Sequence, residues 1–412
     1  MTTAPLAGLK VVELARILAG PWVGQTLADL GAEVIKVERP VTGDDTRHWG
    51  PPFVKGVDGE DLGAAYFHAC NRGKRSVAID FEKPEGADLV RRLVAEADVV
   101  IENFKVGGLK KYGLDHDTLL AAHPRLIWCS VTGFGQDGPY ATRAGYDFMI
   151  QGLGGYMELT GDPAGEPMKV GVAVADLFTG LHAVIGIQAA LAAREKTGRG
   201  QLVDMSLLDT IVAMLANQGM NYLVSGKAPT RMGNAHPNIV PYQVFPVRDG
   251  HVVVATGNDR QWRDTCAILG LEALAFDPRW VHNAGRVAAR AELIPLVEAK
   301  TRLFRRDDLL AKLEAAKVPA GPINSVADVF ADPQVKARGL RLDLPCPEAE
   351  GGTVPSIRNP IRLSDTPIAP DRASPRLGAD TDAVLGALGL GTEALTALAA
   401  AGVIGRRPTD ER

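Results

Sequence analysis

Asp176 opens the most apolar helix-like run of this 412-residue chain, Leu177 to Ala193, directly after Val170-Gly171-Val172-Ala173-Val174-Ala175. A helix apolar on most sides belongs inside a core. A carboxylate at its mouth is therefore near the interior and faces the opening backbone N–H groups. Two uses fit that placement. Asp before an apolar run is a helix N-cap, and an acid held at a buried helix end is also a catalytic group. Spacing alone leaves the two readings even.

The other charged residues narrow the chemistry. Arg39, Arg47, Arg72, Lys74 and Arg75 fall in loops around the first strands, beside a helix N-terminus, where phosphate groups are readily held. A solvated surface face is the plainer account of the same residues. The formal net charge of -4 gives no general attraction to nucleic acid or anionic membrane, so a basic site is local. A phosphorylated nucleotide handle fits, and an extended nucleic-acid groove does not. Gly133-Phe134-Gly135-Gln136-Asp137-Gly138 matches the dinucleotide fingerprint as a string, but Pro139 follows at once and no amphipathic helix comes after it. No phosphate-loop lysine motif and no zinc-helix motif is present. The histidines have no triad or metal spacing; His182 sits within the apolar run and reads as a core residue. The four cysteines, Cys70, Cys129, Cys266 and Cys346, lie far apart and read as reduced thiols of a cytoplasmic protein. The N-terminus has no signal or transit pattern. The run after Asp176 is broken by Thr179, His182 and Gln188 and reads as a buried helix, not a membrane span.

Elements to position these residues follow from periodicity. Leu9 to Leu14 reads as a buried strand, Gly20-Pro21 opens a helix that ends at Gly31, and Ala32 to Val37 is a second strand. This is a βαβ unit with a parallel sheet. Its first loop, Ala15 to Gly20, leaves the carboxyl end of the first strand, where open α/β sheets bind ligands. Glu38 to Phe53 reads as loop. Strands at Ser76 to Asp80, Asp98 to Glu102 and Leu126 to Val131 alternate with helices at Pro84 to Ala95 and Asp115 to Ala122, which argues for a doubly wound domain. Tyr146 to Met157 reads as a helix, Gln201 to Met205 as a strand and Ser206 to Leu223 as a second apolar helix. Beyond a linker at Ser225 to Asn238, Arg248-Asp249-Gly250 joins two strands as a hairpin, and helices follow at Arg260 to Leu269, Arg286 to Thr301 (interrupted by Pro295) and Arg306 to Ala316. Gly352 to Pro375 is Pro-rich and extended, and short helices close the chain at Asp380 to Leu388 and Thr392 to Ala400. The expected division is 1–224, 225–330 and 331–412.

Several stretches resemble one family. Leu14-Ala15-Arg16-Ile17-Leu18-Ala19-Gly20-Pro21, Asp29 through Pro40, Gly43-Asp44-Asp45-Thr46-Arg47, Arg72-Gly73-Lys74-Arg75-Ser76, Glu102-Asn103-Phe104, Thr132 through Pro139 and Gly145-Tyr146-Asp147 look like the class III CoA-transferases, the formyl-CoA transferase and carnitine CoA-transferase family. The resemblance runs nearly end to end. It implies an α/β fold with a Rossmann-like large domain built from both chain ends, a smaller α+β middle domain, and a homodimer of interlocked rings. It implies that Asp176 is the catalytic aspartate. The acid would form a mixed anhydride with the acyl group and then an aspartyl-CoA thioester, with no permanent cofactor, no metal, no nucleic acid and no membrane partner. Leu18, Ala19, Arg39, Gly73, Lys74, Arg75, Asn103, Phe104 and Lys111 are the implied CoA contacts. The glycine run that covers the intermediate in formyl-CoA transferases is replaced by Gly233-Asn234-Ala235-His236-Pro237-Asn238, and their site glutamine by Leu18. Ala235-His236 with Ile239-Val240-Pro241-Tyr242-Gln243, Trp49-Gly50-Pro51-Pro52-Phe53 and Val318 through Asn324 are more similar to the branch that uses dicarboxylates, the succinyl-CoA:glutarate transferases. Arg16, Arg47, Tyr146, Asp147 and His236 are the expected substrate residues. Racemases of the same fold family use a His–Asp pair of bases; Tyr146 stands where the His would be, and a phenol is a poor base at neutral pH.

Overall fold

The computed structural model describes residues 4–368 and 370–406. Its strands are β1 (Lys10–Glu13), β2 (Glu33–Glu38), β3 (Phe53–Lys55), β4 (Asp61–Ala64), β5 (Arg75–Ile79), β6 (Val99–Glu102), β7 (Ile127–Thr132), β8 (Leu202–Ser206), β9 (Tyr242–Val247), β10 (Gly250–Ala255), β11 (Ala320–Pro322), β12 (Arg341–Pro345), β13 (Thr353–Ile357) and β14 (Ile404–Gly405). Seven of them form one sheet in the order β14-β5-β2-β1-β6-β7-β8. All its pairings are parallel except that of β14, which runs antiparallel along β5. Counted within that sheet, the six parallel strands follow the dinucleotide-fold order 3-2-1-4-5-6, and the order reverses between β1 and β6.

Helices cover both faces, so the central strands are buried on both sides rather than alternating. Every residue of β6 and β7 is buried. The first helices are α1 (Ala19–Asp29), α2 (Ala65–His68), α3 (Pro84–Ala95), α4 (His116–Ala122), α5 (Asp147–Leu153), α6 (Tyr156–Leu159), α7 (Val174–Thr197) and α8 (Leu207–Ala213). Pro84 stands in the first turn of α3, and the Asp115 side chain caps α4. Two long helices expected from sequence are each broken. Gly154–Gly155, with Gly155 at φ +85°, separates α5 from α6, and Met214–Leu215 ends α8 before a further helix at Ala216–Ser225. The stretch read as loop ends in a short hairpin, β3–β4, whose strands are too brief to show a period.

α7 departs from the expectation of a fully buried helix. Its Thr179, Gly180, Ala183, Val184, Ile187 and Ala190 are buried, while Leu181 and Ile185 are exposed. Among the described residues it is the one helix long and apolar enough to cross a membrane. It packs on α1, α8, β7 and β8, and Arg194 in its last turns pairs with Asp98 at 3.0 Å.

Two compact units make up the chain. One takes in the described residues up to Gly154, then Gly171–Met214, then those from Gln334 onward; the other is Gly155–Val170 with Leu215–Pro333. The second unit contains the hairpin β9–β10, closed at Arg248–Asp249 as expected, with β11 antiparallel on β10. Its core holds Trp262 and Trp280, and the fully buried Arg286 donates to the carbonyls of Val240 and Trp280 and to Asp259. The helix expected over Arg286 to Thr301 is two, Asn283–Ala288 and Arg290–Thr301, parted at Ala289; Pro295 lies inside the second.

Candidate active site

The carboxyl ends of the parallel strands all open on one pocket of about 420 Å³ within the first unit, a size that suits a small-molecule ligand. Leu14–Ala19 after β1, Arg39 after β2, Asp80–Glu82 after β5, Asn103–Val106 after β6 and Gly133 after β7 line it, with Asp176 on the same wall. β1 and β6 flank the point where strand order reverses, the place where open α/β sheets take ligands. Gly133 and Gly145 meet backbone to backbone in this wall: a Cβ on Gly133 would lie 2.6 Å from the Gly145 Cα. That close approach is the use of the first glycine in the fingerprint-like string. The segment after Gly138 is a turn and not a helix, so the string forms no dinucleotide loop.

Asp176 is not the cap of α7. The N-cap position is Ala173, which has no side-chain cap bond, and Asp176 is the third residue of the helix. Asp147, in the first turn of α5, supplies the cap instead. Its Oδ1 accepts from the Ala175 N–H at 2.8 Å and the Asp176 N–H at 3.4 Å, and its Oδ2 accepts from Gln151 at 2.7 Å. The Asp176 carboxylate is thus left without a hydrogen-bond partner among the described residues. Burial, and then the like charge of Asp147, push its pKa up to about 7. The fold favours its protonated form, and that contribution is lost as pH rises through about 7.

A reaction that needs ionised Asp176 must therefore lose kcat/KM as pH falls through about 7. Asp147→Asn keeps an oxygen to cap α7 and removes the like charge. Its acid limb is expected at lower pH than wild type, still above that of an ordinary carboxylate because burial remains. A limb that does not move would show that Asp147 contributes no charge effect at Asp176.

The pocket gathers most of the residues expected from sequence. Arg16, Leu18, Ala19, Arg39, Asn103, Phe104, Lys111 and Tyr146 all line it. Arg39 reaches Glu82 at 3.8 Å. The ring of Phe104 meets Phe81 edge-on at 5.8 Å, and Phe81 meets Tyr112 at 5.5 Å, with the Lys111 ammonium 4.6 Å from the Tyr112 ring centre. No histidine lines the pocket.

Other expected residues of the first unit lie away from the pocket, for physical reasons. Gly73, Lys74 and Arg75 stand at the start of β5, the sheet edge opposite to the pocket; the end of the same strand, Ile79 to Glu82, lines it. Lys74 is fully buried, its Nζ 2.8 Å from Glu13 and donating to the Pro21 carbonyl and to Asn71. Burial, opposed by Glu13, holds its pKa below the usual lysine value. Arg75 pairs with Glu33 and Asp380. Arg47 is buried and forks onto Glu38 (Nε to Oε2 2.8 Å, Nη2 to Oε1 2.7 Å), with its guanidinium 3.7 Å from the Phe67 ring centre. His236 belongs to the second unit, its ring 5.1 Å from that of Tyr242.

Two residues were missed, one that feels the charge of the acid and one on the pocket wall. Tyr66, in α2, has its pKa pushed up to about 12 by burial and then by the charge of Asp176, so its phenol stays a proton donor. Arg143 lines the pocket with its guanidinium 4.4 Å from the Tyr140 ring centre. Arg143 sits in a loop beside Tyr140, an aromatic–cation spacing that the sequence displays openly. Nothing local in the sequence marks Tyr66.

Comparison with known proteins shows the family. The family model described as CoA-transferase family III matches residues 6–381. The chain is 58% identical over 385 residues to a succinate–glutarate CoA-transferase of Agrobacterium fabrum, covering 93% of this chain and 96% of the relative. It is 40% identical to the human succinyl-CoA:glutarate CoA-transferase, covering 98% and 91%. The crystal structure of a CAIB/BAIF family protein from Brucella suis superposes with a TM-score of 0.83 at 61% identity, covering 94% of this chain and all of that one.

Proposed function

The chain belongs to CoA-transferase family III, and from that premise we propose that it moves coenzyme A from succinyl-CoA or a similar acyl-CoA to a short dicarboxylic acid, with Asp176 as the covalent carrier. The observation that carries the reading is a carboxylate without a hydrogen-bond partner on the wall of a pocket at the strand-order reversal. Relatives named for succinate, glutarate and mesaconate support the substrate class.

The steps balance as follows. The Asp176 carboxylate attacks the acyl carbonyl of the thioester, forming a mixed anhydride and releasing CoA thiolate. The thiolate attacks the Asp176 carbonyl, which gives the aspartyl-CoA thioester and frees the donor acid. An acceptor carboxylate attacks that thioester, a second anhydride forms, and the thiolate takes the new acyl group, returning Asp176 to its carboxylate. Covalent relay of this kind replaces one hard step by easier ones, and it requires that water be excluded. Half-burial of Asp176 supports both needs, since a carboxylate poorly solvated in the ground state is a better nucleophile. Arg39, Phe104 and Lys111, with Phe81, are the residues we assign to the CoA nucleotide. Lys74 we assign to the buried ion cluster instead.

Of the expected acceptor residues, Arg16 keeps that assignment. It lines the pocket, half exposed, with only the exposed Asp45 at 2.9 Å to displace. Arg47 is committed to Glu38. Arg16→Met is expected to raise KM for a dicarboxylate at least ~10-fold while KM for a monocarboxylate of equal length, and for an acyl-CoA whose acyl group carries no second carboxylate, barely moves. Equal losses with both acceptors would remove Arg16 as the selector.

The reading includes a homodimer. On α5, α7 and α8, which pack on one another, Phe148, Leu153, Leu181, Ile185 and Val212 are exposed, and exposed apolar side chains on packed helices support an interface with a second copy. A first unit built from both chain ends supports interlocked rings. The four cysteines are free thiols, which supports a cytoplasmic setting.

A further inference from the structure

Ile17, on the pocket wall between β1 and α1, has φ +75°. A β-branched residue in the left-handed region is a backbone outlier that its surroundings must hold in place. They do so group by group. The Ala15 carbonyl accepts from the buried Lys36 ammonium at 2.7 Å. The Arg16 N–H donates to Asn103 Oδ1 at 3.0 Å, and the Arg16 carbonyl accepts from Asn103 Nδ2 at 2.6 Å. The Ile17 N–H points at both oxygens of Asp44, 3.3 Å from each, and the Ile17 carbonyl lies 3.6 Å from Cys70 Sγ. Four side chains from four different segments thus hold five consecutive backbone groups of one short loop.

Asp44 is the charged member of that set. It is buried, pairs with Lys36 at 2.9 Å, and accepts from the Thr46 N–H at 3.0 Å and hydroxyl at 2.8 Å. Burial alone would raise its pKa, but the Lys36 charge and the Thr46 N–H bring it down to about 2. It is therefore ionised at neutral pH.

Resting on the transferase reading above, we propose that Asp44 is a positioning residue: it holds Ile17 in the left-handed conformation and thereby sets the Arg16–Ala19 wall that faces the acyl group beside Asp176. The loop runs directly into the first turn of α1, whose Ala19 lines the same pocket as the acid. A shift of that wall moves the reacting carbonyl relative to the nucleophile, and small misplacements of this kind cost rate rather than binding.

The test is a rescue. Asp44→Asn preserves shape and removes the charge that holds the Ile17 N–H; kcat is expected to fall roughly 10²-fold, with KM for succinyl-CoA within about threefold. Glycine adopts positive φ without a steric penalty and alanine does not. Adding Ile17→Gly to Asp44→Asn should restore at least ~10-fold in kcat, and adding Ile17→Ala should restore none. If Gly and Ala behave alike, Asp44 acts through its charge on the pocket or through general stability, and the proposal fails. Thermal denaturation of the two single variants in the otherwise native chain tests the strained backbone without turnover. Ile17→Gly should melt higher than Ile17→Ala even though glycine loosens the unfolded chain; the reverse order overturns the proposal whatever the acceptor acid is. Absence of transfer in the wild-type protein, with that melting order intact, would instead be a failure of the functional reading.

Discussion

Asp176→Asn is expected to reduce CoA transfer by at least ~10³-fold, about 4 kcal/mol of barrier, while CoA still binds. The amide has nearly the shape of the acid, and the α7 cap is not disturbed because Asp147 supplies it. What the variant loses is the oxygen nucleophile. Two controls separate this from trivial causes: Asp176→Ala cannot regenerate an acid by deamidation, and CoA affinity by calorimetry reports whether the pocket survives. Near wild-type turnover in both variants would reduce Asp176 to a bystander.

The second large effect is on stability. Glu13 ends β1 with its carboxylate fully buried, and it is the shared partner of two buried ammonium groups, Lys36 at 2.9 Å and Lys74 at 2.8 Å. A buried ion pair adds little net stability while intact, but removal of one partner strands the other, typically at about 3–5 kcal/mol. Glu13→Ala strands two lysines at once, although Asp44 continues to face Lys36. A loss of at least ~4 kcal/mol is expected, a large share of the stability of any domain, read as a fall in the denaturant midpoint. The fit is tight as well as charged, since a Cβ at Gly24 would overlap the Glu13 carboxylate. The triple change Glu13→Leu, Lys36→Met, Lys74→Met should be less destabilised than Glu13→Ala, because no charge is left alone. If Glu13→Ala costs under ~1 kcal/mol, the cluster is not the structural centre of the β1–β2–β5 layer.

Much of the fold was open to reading because it is local. Apolar runs bounded by Gly and Pro mark the parallel strands, Pro84 and Asp115 mark helix starts, and the loop after β1 falls at the carboxyl edge of the sheet by strand direction alone. What escaped depends on partners that the fold, not local periodicity, brings together. Arg47 finds Glu38 and Phe67, and Lys74 finds Glu13 across 61 residues, so a basic cluster that looked like a phosphate cradle is partly an internal ion network. Strand direction alone would have helped: residues that precede a parallel strand stand at the edge away from the pocket, where Gly73 to Arg75 lie, while Asp80 to Glu82 follow the strand and line it. The choice between a cap and a catalytic role for Asp176 stayed even for the same reason. The acceptor is Asp147, almost thirty residues upstream of the helix it closes, and no window of sequence around Asp176 contains it. Ile17 carries no signal of its strained backbone at all, because Ile is the last residue that turn chemistry would nominate.

The central claim is that Asp176 becomes covalently acylated and then bonded to CoA. Trapping tests it most directly: the enzyme is incubated with succinyl-CoA, quenched with hydroxylamine and digested, and the peptide spanning α7 is examined by mass spectrometry. The account predicts a hydroxamate at Asp176, dependent on succinyl-CoA and absent from Asp176→Ala. Turnover without any modification of Asp176, or a hydroxamate on another carboxylate, would contradict it.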